Sequence, residues 1–507
     1  MPLTIEDITT FCKRKGFVFL DSEIYGGLAG FWDYGPLGVE LKNSIKQHWW
    51  KIFVQQRDDV VGIDGTIITN PGVWEASGHV DSFVDVFLEC KKCKFRIRAD
   101  SLIEDELHIK AEGLSAKDVD KIVKENKLVC PKCGAGFEKA QKFNLMFETK
   151  IGSTKQAMVS YLRPETAQSI FTNFKLVAET SRLKLPFGIA QIGKAYRNEI
   201  SPRNFLFRTR EFEQMEIEYF VNPDNVDECP LFKDVAKIKV NMLTATMQEK
   251  KKNKHKEMTI KDTVDKKIMS PWQAYWTALE YKWFLDLGIK KENIRLREHL
   301  QEELAHYAGA CVDIDYNFPF GWKEIYGNAD RKQFDLQQHS KFSKKDLSIY
   351  DEEKKQKITP YVASEPSQGV DRAFLAFLID AYNDDKKRGN IVLKLHPAIA
   401  PVKFAILPLV SNKPQLVKFA MGVYDSLKNY YNCSFDKSGS IGRRYARNDE
   451  IGTPFCITID FDSLKKKDVT IRDRDTTKQA RIKIKDLPGA VCKLLSGENL
   501  QKVGKLV

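Results

Sequence analysis

Hydrophobic and polar residues alternate along one segment of the chain, AYRNEISPRNFLFRTREFEQMEIEYF at residues 195–220. From residue 208 onward the odd positions end in Met215, Ile217 and Tyr219, whereas the even positions carry arginines, one phenylalanine and carboxylates. A period of two predicts a β-strand. A second strand-like stretch precedes it across the loop ISPRNFLF, so the segment predicts an antiparallel hairpin with a wide connection.

Elsewhere the apolar spacing changes between helical and extended periods. It predicts a long amphipathic helix from about Val39 to Gln56 and then an apolar strand ending at Pro71. Residues 223–294 are polar and helical in pattern, and an apolar helix follows GVDR near residue 370. Beyond a linker at 397–401, strands and helices alternate in a compact α/β module.

A chain of 507 residues exceeds what one hydrophobic core usually serves, so several domains are expected. The changes of pattern predict a core that is interrupted by two inserts and followed by a C-terminal module. The predicted segments are core 1–86, cysteine-containing insert 87–147, core 148–222, helical insert 223–294, core 295–397 and C-terminal domain 398–507.

Composition narrows the class of protein. The formal net charge of +12 favours a polyanionic partner, although many basic proteins bind no nucleic acid. The N-terminus lacks a basic-then-apolar targeting pattern, and no apolar stretch approaches the length that crosses a bilayer. We therefore expect a cytoplasmic protein without a membrane partner, in which cysteines are reduced.

Four of the ten cysteines form two C-x-x-C pairs. The pairs are Cys90 with Cys93 and Cys130 with Cys133. This spacing predicts a tetrahedral Zn²⁺ site that is structural, because four thiolates leave no open coordination position. The alternative is that one pair occurs by chance.

The polar face of the hairpin has two interpretations. It is either an exposed, salt-bridged sheet face or a nucleotide site, and the ring of Phe212 would lie bare in the first case. Arginines provide forked donors for phosphates, an aromatic ring stacks on a purine, and carboxylates accept from ammonium or amino groups. Arg372, at the start of an apolar helix, adds a further phosphate contact.

The hairpin resembles motif 2 of class II aminoacyl-tRNA synthetases, Arg-x-Glu and, after a loop, Arg-x-x-x-Phe-x-x-x-Glu. GVDRAFLAFL resembles motif 3, and the helix–strand–Pro71 element resembles motif 1. The blocks YGPLGVELKN, WEASGHVDSF, LRPETAQ and EPSQGVDR are similar to glycyl-tRNA synthetases of the dimeric type found in eukaryotes, archaea and some bacteria.

That resemblance implies an α+β fold, with an antiparallel sheet core flanked by helices, a zinc-knuckle insert and a C-terminal α/β anticodon-binding domain. It implies a glycine–tRNA ligase that forms glycyl-adenylate from ATP and glycine and passes the glycyl group to tRNA(Gly). The implied partners also include Mg²⁺ and a second copy of the chain, joined through motif 1. The alternative is a synthetase-like RNA-binding or regulatory protein that has lost the reaction.

The resemblance also implies roles for individual residues. Arg197 would hold the α-phosphate, Arg208 the γ-phosphate and Arg372 the outer phosphates. Glu199 would lie near the adenine amino group, Phe212 would stack on adenine, and Glu324 would contact Mg²⁺. The full implied ATP-binding set is Arg197, Asn198, Glu199, Arg208, Thr209, Phe212, Glu324, Ile325 and Arg372.

Glycine offers only an ammonium and a carboxylate group, so its pocket needs carboxylates and a close wall. The implied glycine-binding residues are Glu165, Glu216, Glu365, Pro366 and Ser367. His79 is either a pocket residue or a structural histidine. In the C-terminal module, Arg443, Arg444 and Arg447 are candidate anticodon contacts or members of a salt-bridged turn.

Overall fold

The structure is a computed structural model. It describes residues 3–109, 111, 113–153, 157–250, 254–304, 309–352 and 354–507.

The N-terminal part contains the helix that the sequence predicts before the first core strand. Leu41, Ile45 and Trp49 recur on one buried face of this helix, which continues through a π-turn at Lys51–Gln55. The strand after it ends at Ile63 instead of Pro71, because Pro71 begins the next helix, where proline needs no hydrogen-bond donor. The elements are α1 (Ile5–Lys15), β1 (Val18–Leu20), β2 (Trp32–Tyr34), α2 (Pro36–Trp50), β3 (Val60–Ile63), α3 (Pro71–Ala76) and α4 (His79–Ser82).

The cysteine-containing segment has its own small sheet and core. Leu88, Leu102, Ile103 and Val119 are buried together beside two of the cysteines. The strand order is β5-β4-β6. The elements are β4 (Val84–Glu89), β5 (Arg96–Arg98), α5 (Ala99–Leu107), α6 (Ala116–Glu125) and β6 (Gln141–Asn144).

The alternating segment forms the antiparallel hairpin that its pattern predicts. Ten residue pairs join the two strands, from Glu211 opposite Tyr196 to Phe220 opposite Phe187. The connection, residues 197–210, contains a short 3-10 turn at Phe205–Phe207. The elements here are β7 (Phe147–Ile151), β8 (Met158–Leu162), α7 (Ala167–Thr180), β9 (Phe187–Tyr196) and β10 (Glu211–Val221).

Residues 223–294, expected to be helical, also contribute strands to the central sheet. Their longest helix buries aromatic and small residues on every side, since it packs between the sheet and other helices. The elements from here to the end of β15 are β11 (Lys239–Leu243), α8 (Ala245–Glu249), β12 (Lys256–Thr259), α9 (Ile260–Asp265), α10 (Pro271–Asp286), β13 (Ile294–Glu298), β14 (Cys311–Phe318) and β15 (Gly321–Ala329).

A nine-stranded sheet organises the core, and its last long strand runs directly into a buried helix. The strand order is β12-β11-β13-β14-β15-β18-β10-β9-β3, and within the described residues of this sheet only the β11–β13 and β3–β9 pairs are parallel. The remaining core elements are α11 (Phe334–Ser343), β16 (Ile349–Asp351), β17 (Gln356–Ile358), β18 (Tyr361–Gly369), α12 (Val370–Ala381), β19 (Tyr382–Asp385) and β20 (Asn390–Leu393).

The C-terminal module is a second sheet with its own core, as the alternation of strands and helices predicts. The strand order is β22-β21-β23-β24-β25-β26. Arg388 of the β19–β20 hairpin pairs with Asp449 of this module at 3.2 Å. The elements are β21 (Phe404–Pro408), α13 (Pro414–Leu427), β22 (Cys433–Phe435), α14 (Ile441–Glu450), β23 (Phe455–Ile459), α15 (Phe461–Lys466), β24 (Asp468–Asp473), β25 (Gln479–Lys483), α16 (Leu487–Leu495), α17 (Leu500–Val503) and β26 (Lys505–Leu506).

Candidate active site

Strand β10 separates a hydrophobic core from a polar cleft. Its odd positions Met215, Ile217 and Tyr219 belong to the main core, where the Tyr219 ring lies 4.9 Å from that of Trp272 in α10. The even positions therefore face the other way, because successive side chains of a strand alternate. The cleft on this face is lined by Arg197, Glu199, Leu206, Phe207, Arg208, Thr209, Phe212, Gln214, Glu324, Ser367, Gly369, Asp371 and Arg372.

The three predicted phosphate-binding arginines share this cleft. The Arg372 guanidinium lies 4.6 Å from the Phe207 ring centre, donates to the Glu324 carbonyl at 3.2 Å and lies 3.0 Å from the Glu324 carboxylate. It projects from the first turn of α12, where the helix dipole also favours anions. Arg208 is largely buried, and burial lowers its pKa, so a partner anion would stabilise its charged form.

Glu199 is a buried acceptor with spare capacity. Its Oε2 atom has no hydrogen-bond partner among the described residues, and the nearest cationic nitrogens are Arg208 Nε at 3.7 Å and Arg98 Nη1 at 4.0 Å. A buried carboxylate oxygen in this state fits a ligand that brings an N–H donor, such as an exocyclic amino group.

Phe212 and Arg197 lie together in the cleft. The Arg197 guanidinium is 5.3 Å from the Phe212 ring centre and 5.4 Å from that of Phe83, and its Nε donates to the Pro164 carbonyl at 3.1 Å. The Phe212 ring is therefore not bare, since a cation covers part of it. Its position beside Arg197 still suits a planar base next to a phosphate.

Three other residues of the predicted ATP set differ in how they reach the cleft. Thr209 lines it, and its hydroxyl donates to the Glu211 carbonyl at 3.0 Å. Asn198 is outside the lining, and its main-chain N–H donates to Leu145 at 2.8 Å. The Ile325 side chain is fully buried in the core beside a register shift in the β14–β15 pair, so only its main chain could contact a ligand.

A second cluster, deeper on the same face, contains the predicted glycine-binding carboxylates. Glu165 accepts from Gln168 at 3.0 Å and lies 3.3 Å from His79 Nε2, so His79 contacts the pocket. Burial opposes ionisation of Glu165, but His79 and Arg331 outweigh it and lower the Glu165 pKa. Glu165 is therefore an anion at neutral pH.

Glu216 is held by donors from three elements. It accepts from the Thr166 main chain at 3.0 Å, from Gln214 at 2.8 Å and from the Ser367 hydroxyl at 2.6 Å, and also from the Thr166 hydroxyl. Burial, followed by the neighbouring Glu165, raises its pKa despite these donors. The carboxylate is fixed in place and lacks a cationic partner among these contacts.

Glu365 lies on the neighbouring strand β18 and is paired with a buried arginine. Arg331 donates to Glu365 at 2.6 Å and to both oxygens of Asp335 at 2.8 Å. Burial raises the pKa of Glu365 to about 8 even though Arg331 opposes the shift. Pro366 lies opposite Asn328 in the sheet, and the alternation of side chains along β18 directs its ring away from Glu365 and Ser367, so only its main chain lies beside this cluster.

Sequence reasoning assigned no role to two residues of the cluster. Glu218 continues the even-numbered face of β10 and is wholly buried, and the same period of two would have identified it. Arg331 lies in the connection after β15, where no periodic pattern distinguishes it from other arginines. Only its contacts with Asp335 and Glu365 in the folded structure show that Arg331 belongs to the cluster.

The four paired cysteines converge in the insert. Their sulfur atoms all lie within 4.8 Å of one another, with Cys90 and Cys133 at 3.4 Å and Cys93 and Cys130 at 3.7 Å. Four sulfurs bound at 2.3 Å around one tetrahedral centre are about 3.8 Å apart, so the group fits Zn²⁺. Gly134 adopts a φ of +71° after the second pair, and its N–H donates to the Cys130 carbonyl at 2.8 Å.

In the C-terminal module, one of the three candidate anticodon arginines has a structural role. Arg444 is buried and donates to the carbonyls of Pro408 and Leu409 at 2.5 and 3.0 Å. Both of its Nη groups donate inside the domain, and the side chain is buried, which favours the structural role over an anticodon contact. Arg447 pairs with Asp436 at 2.5 Å, and Arg443 is exposed.

Within the described parts of the chain, every helix is too short or too polar to span a bilayer.

Comparisons with known proteins agree with this arrangement. Residues 150–382 match the family model of the tRNA synthetase class II core domain (G, H, P, S and T), and residues 403–494 match that of an anticodon binding domain. A solved prolyl-tRNA synthetase from Cryptosporidium parvum, complexed with halofuginone and AMPPNP, has a TM-score of 0.57 at 14% identity, over 97% of this chain and 77% of that one. It supports the fold.

Similar curated proteins cover almost the whole chain. A glycine–tRNA ligase from Acetivibrio thermocellus is 48% identical over 494 residues, which are 96% of this chain and 97% of its own length. One from Caldanaerobacter subterraneus is 49% identical over 95% of this chain and 96% of its length. One from Geobacillus kaustophilus is 47% identical over 96% of this chain and 98% of its own length. This chain belongs to the glycine–tRNA ligase family of class II aminoacyl-tRNA synthetases.

Proposed function

We propose that the protein activates glycine with ATP to form glycyl-adenylate and then transfers the glycyl group to the 3′ end of tRNA(Gly). The observation that carries this proposal is the continuous polar face of β10. Phe212 lies beside arginines at one end, and Glu216 lies among carboxylates further along. A triphosphate and an ammonium group would thus bind side by side on one strand.

The geometry suits an in-line attack of the glycine carboxylate on the α-phosphorus. Arg197 would orient the α-phosphate, and Arg208 and Arg372 would hold the outer phosphates and stabilise the departing pyrophosphate. Such a step depends on alignment and charge neutralisation, and it needs no titrating histidine as a base. Glu324, 43% exposed beside Arg372, is the residue that would hold Mg²⁺, which neutralises phosphate charge when bound.

Glycine would be recognised through its ammonium group. Glu165 and Glu216 supply negative charge, and Ser367 fixes Glu216 by a 2.6 Å hydrogen bond. Because glycine has no side chain, a wall held close to its α-carbon would reject an added methyl group by overlap.

Other parts of the proposal concern the whole assembly. Zn²⁺ held by the four cysteines would stabilise residues 87–147, and residues 398–507 would bind the anticodon arm. The remaining segments, 1–86, 148–222, 223–294 and 295–397, would form the catalytic unit. We further propose a homodimer through α2 and β3, because β3 is one of the two edge strands of the described sheet.

The decisive test is glycine-dependent exchange of labelled pyrophosphate into ATP, followed by aminoacylation of tRNA(Gly). We expect exchange with glycine and at least a hundredfold less with alanine or serine. Arg197→Ala should abolish exchange while circular dichroism stays unchanged. Near-normal exchange in that variant would refute its role, and exchange with a different amino acid would refute the substrate. Tight tRNA binding without any exchange would favour a non-catalytic relative.

A further inference from the structure

Glu218 is a buried acid without a partner. Its side chain is 0% exposed, and neither carboxyl oxygen has a hydrogen-bond partner among the described residues. An ionised carboxylate in such surroundings is costly unless a cation is near, so the group is either neutral or paired with a charged ligand. The proposed reaction gives Glu218 no part.

The sheet register places Glu218 against a second acid. Glu216 lies opposite Ser367 and Tyr219 opposite Ser364 in the antiparallel β10–β18 pair. The same register puts Glu218 opposite Glu365, on one face of the sheet. Residues directly opposite have Cβ atoms about 4.5–5.5 Å apart, and two carboxylates that close do not both ionise without a cation between them.

Carboxylates outnumber cations around this pair. The titratable and charged groups that act on Glu218 come from β10, β18, the connection after β15 and α11, and they are Glu365, Arg331, Glu216 and Asp335. The guanidinium of Arg331 already pairs with Asp335 and Glu365. Burial first, and Glu365 next, raise the pKa of Glu218 well above its ordinary value. The cluster therefore retains a proton at neutral pH.

We propose that Glu218 and Glu365 share one proton before the amino acid binds, and that the ammonium group of the amino acid replaces this proton. The inference rests on the proposed function, since it concerns the same pocket. The proton passes to solvent by way of Glu365, whose side chain is 10% exposed, and the ammonium group keeps its own protons. Glu218 is a positioning residue, because it acts on the substrate through Glu365.

Proton release on binding predicts a distinct pH dependence of the KM for glycine. In wild-type protein this KM, measured by pyrophosphate exchange, should rise by up to tenfold for each pH unit below the pKa of the pair. In Glu218→Gln, Glu365 loses its acidic neighbour and ionises at lower pH. Its KM for glycine should therefore vary less than threefold between pH 6 and 8, and the two profiles should have different slopes.

Glu280→Gln is the matched control. Glu280 lies in α10, outside the cleft, and is also wholly buried. Burial raises its pKa to about 8, and it accepts a hydrogen bond from Trp49 Nε1 at 2.9 Å. This variant should retain the wild-type slope of the KM for glycine against pH. The KM for ATP, measured at each pH, corrects for effects that are common to all variants. A Glu218→Gln profile parallel to that of wild type would overturn the proposal.

Calorimetry gives a readout that needs no variant. The heat of glycine binding to wild-type protein at pH 7 should depend on the ionisation enthalpy of the buffer, with a fractional proton released per glycine bound. Equal heats in phosphate and Tris buffers would overturn proton sharing. Loss of glycine-dependent exchange at every pH would instead refute the proposed function, so the two failures are distinguishable.

Discussion

Replacing Arg331 by methionine should test how the acidic cluster is held together. Arg331 is 1% exposed and bonds both oxygens of Asp335 and one of Glu365. Methionine keeps most of the volume and removes the charge. We expect a large loss of stability, because the variant leaves two carboxyl groups buried beside Glu218 without their cation.

The magnitude follows from the cost of neutralising those carboxyl groups. Glu365, with a pKa raised to about 8, holds a proton at pH 7 at little cost. An aspartate with an ordinary pKa near 3.9 must be protonated about three pH units above it, which costs about 4 kcal/mol at 1.36 kcal/mol per unit. Breaking a buried ion pair usually costs about 3–5 kcal/mol, in agreement with this value. A domain of 150–250 residues would lose about 8–16 °C in Tm, and the larger catalytic unit that contains Arg331 should lose less than this.

Urea and thermal unfolding, followed by tryptophan fluorescence, would measure the change. Arg203→Met is the matched control, because Arg203 pairs with Asp105 at 3.4 Å on the surface, and its loss should cost less than about 1 kcal/mol. The Arg331→Met deficit should shrink by about 1.4 kcal/mol per pH unit between pH 7 and 5, because the folded variant binds one proton that the unfolded chain lacks in this range, and binding it costs less as the pH falls. A deficit equal to that of Arg203→Met, or one that grows on acidification, would refute the reasoning.

Three further changes test other parts of the molecule. Phe212→Ala should raise the KM for ATP about tenfold, while Phe212→Leu should have a smaller effect; an unchanged KM would contradict stacking on the base. Joint replacement of Cys90 and Cys130 by serine should abolish bound zinc, as measured by atomic emission, and make the insert the first site of proteolysis. Arg444→Met should unfold the C-terminal module at lower urea concentration than Arg443→Met, because only Arg444 of the two donates to buried carbonyls. Equal urea midpoints of unfolding for the two variants would contradict the structural role of Arg444.

The sequence predicts the parts of this molecule that depend on local periodicity. The alternation at residues 208–220 predicts both strand β10 and its two faces, and the C-x-x-C spacing predicts the cysteine cluster. Both signals are local, since adjacent positions alone determine which side of a strand or knuckle a residue occupies. The family resemblance gives the antiparallel core, which the structure and the comparisons confirm.

Other features required the tertiary structure. The predicted strand extended to Pro71 because apolar residues continue past Ile63, although the strand itself ends there. Residues 223–294 read as helical, yet β11 and β12 complete the edge of the sheet by pairings over long sequence distances. The burial of Arg444 and the contact of Arg331 with Glu365 have no periodic signature, because each depends on carbonyls or carboxylates from distant segments.

The ten pairings that fix β10 against β9 also constrain how the chain can change in length. Deleting one residue within the strand would invert every later side chain, sending Glu216 into the tryptophan-rich interior and Ile217 toward the substrate. A deletion in the middle of the connection, at residues 200–204, would leave that frame intact and would spare Arg197, Glu199 and Arg208. Insertions and deletions compatible with a working enzyme are therefore expected in that part of the loop, while the strand accepts substitutions alone.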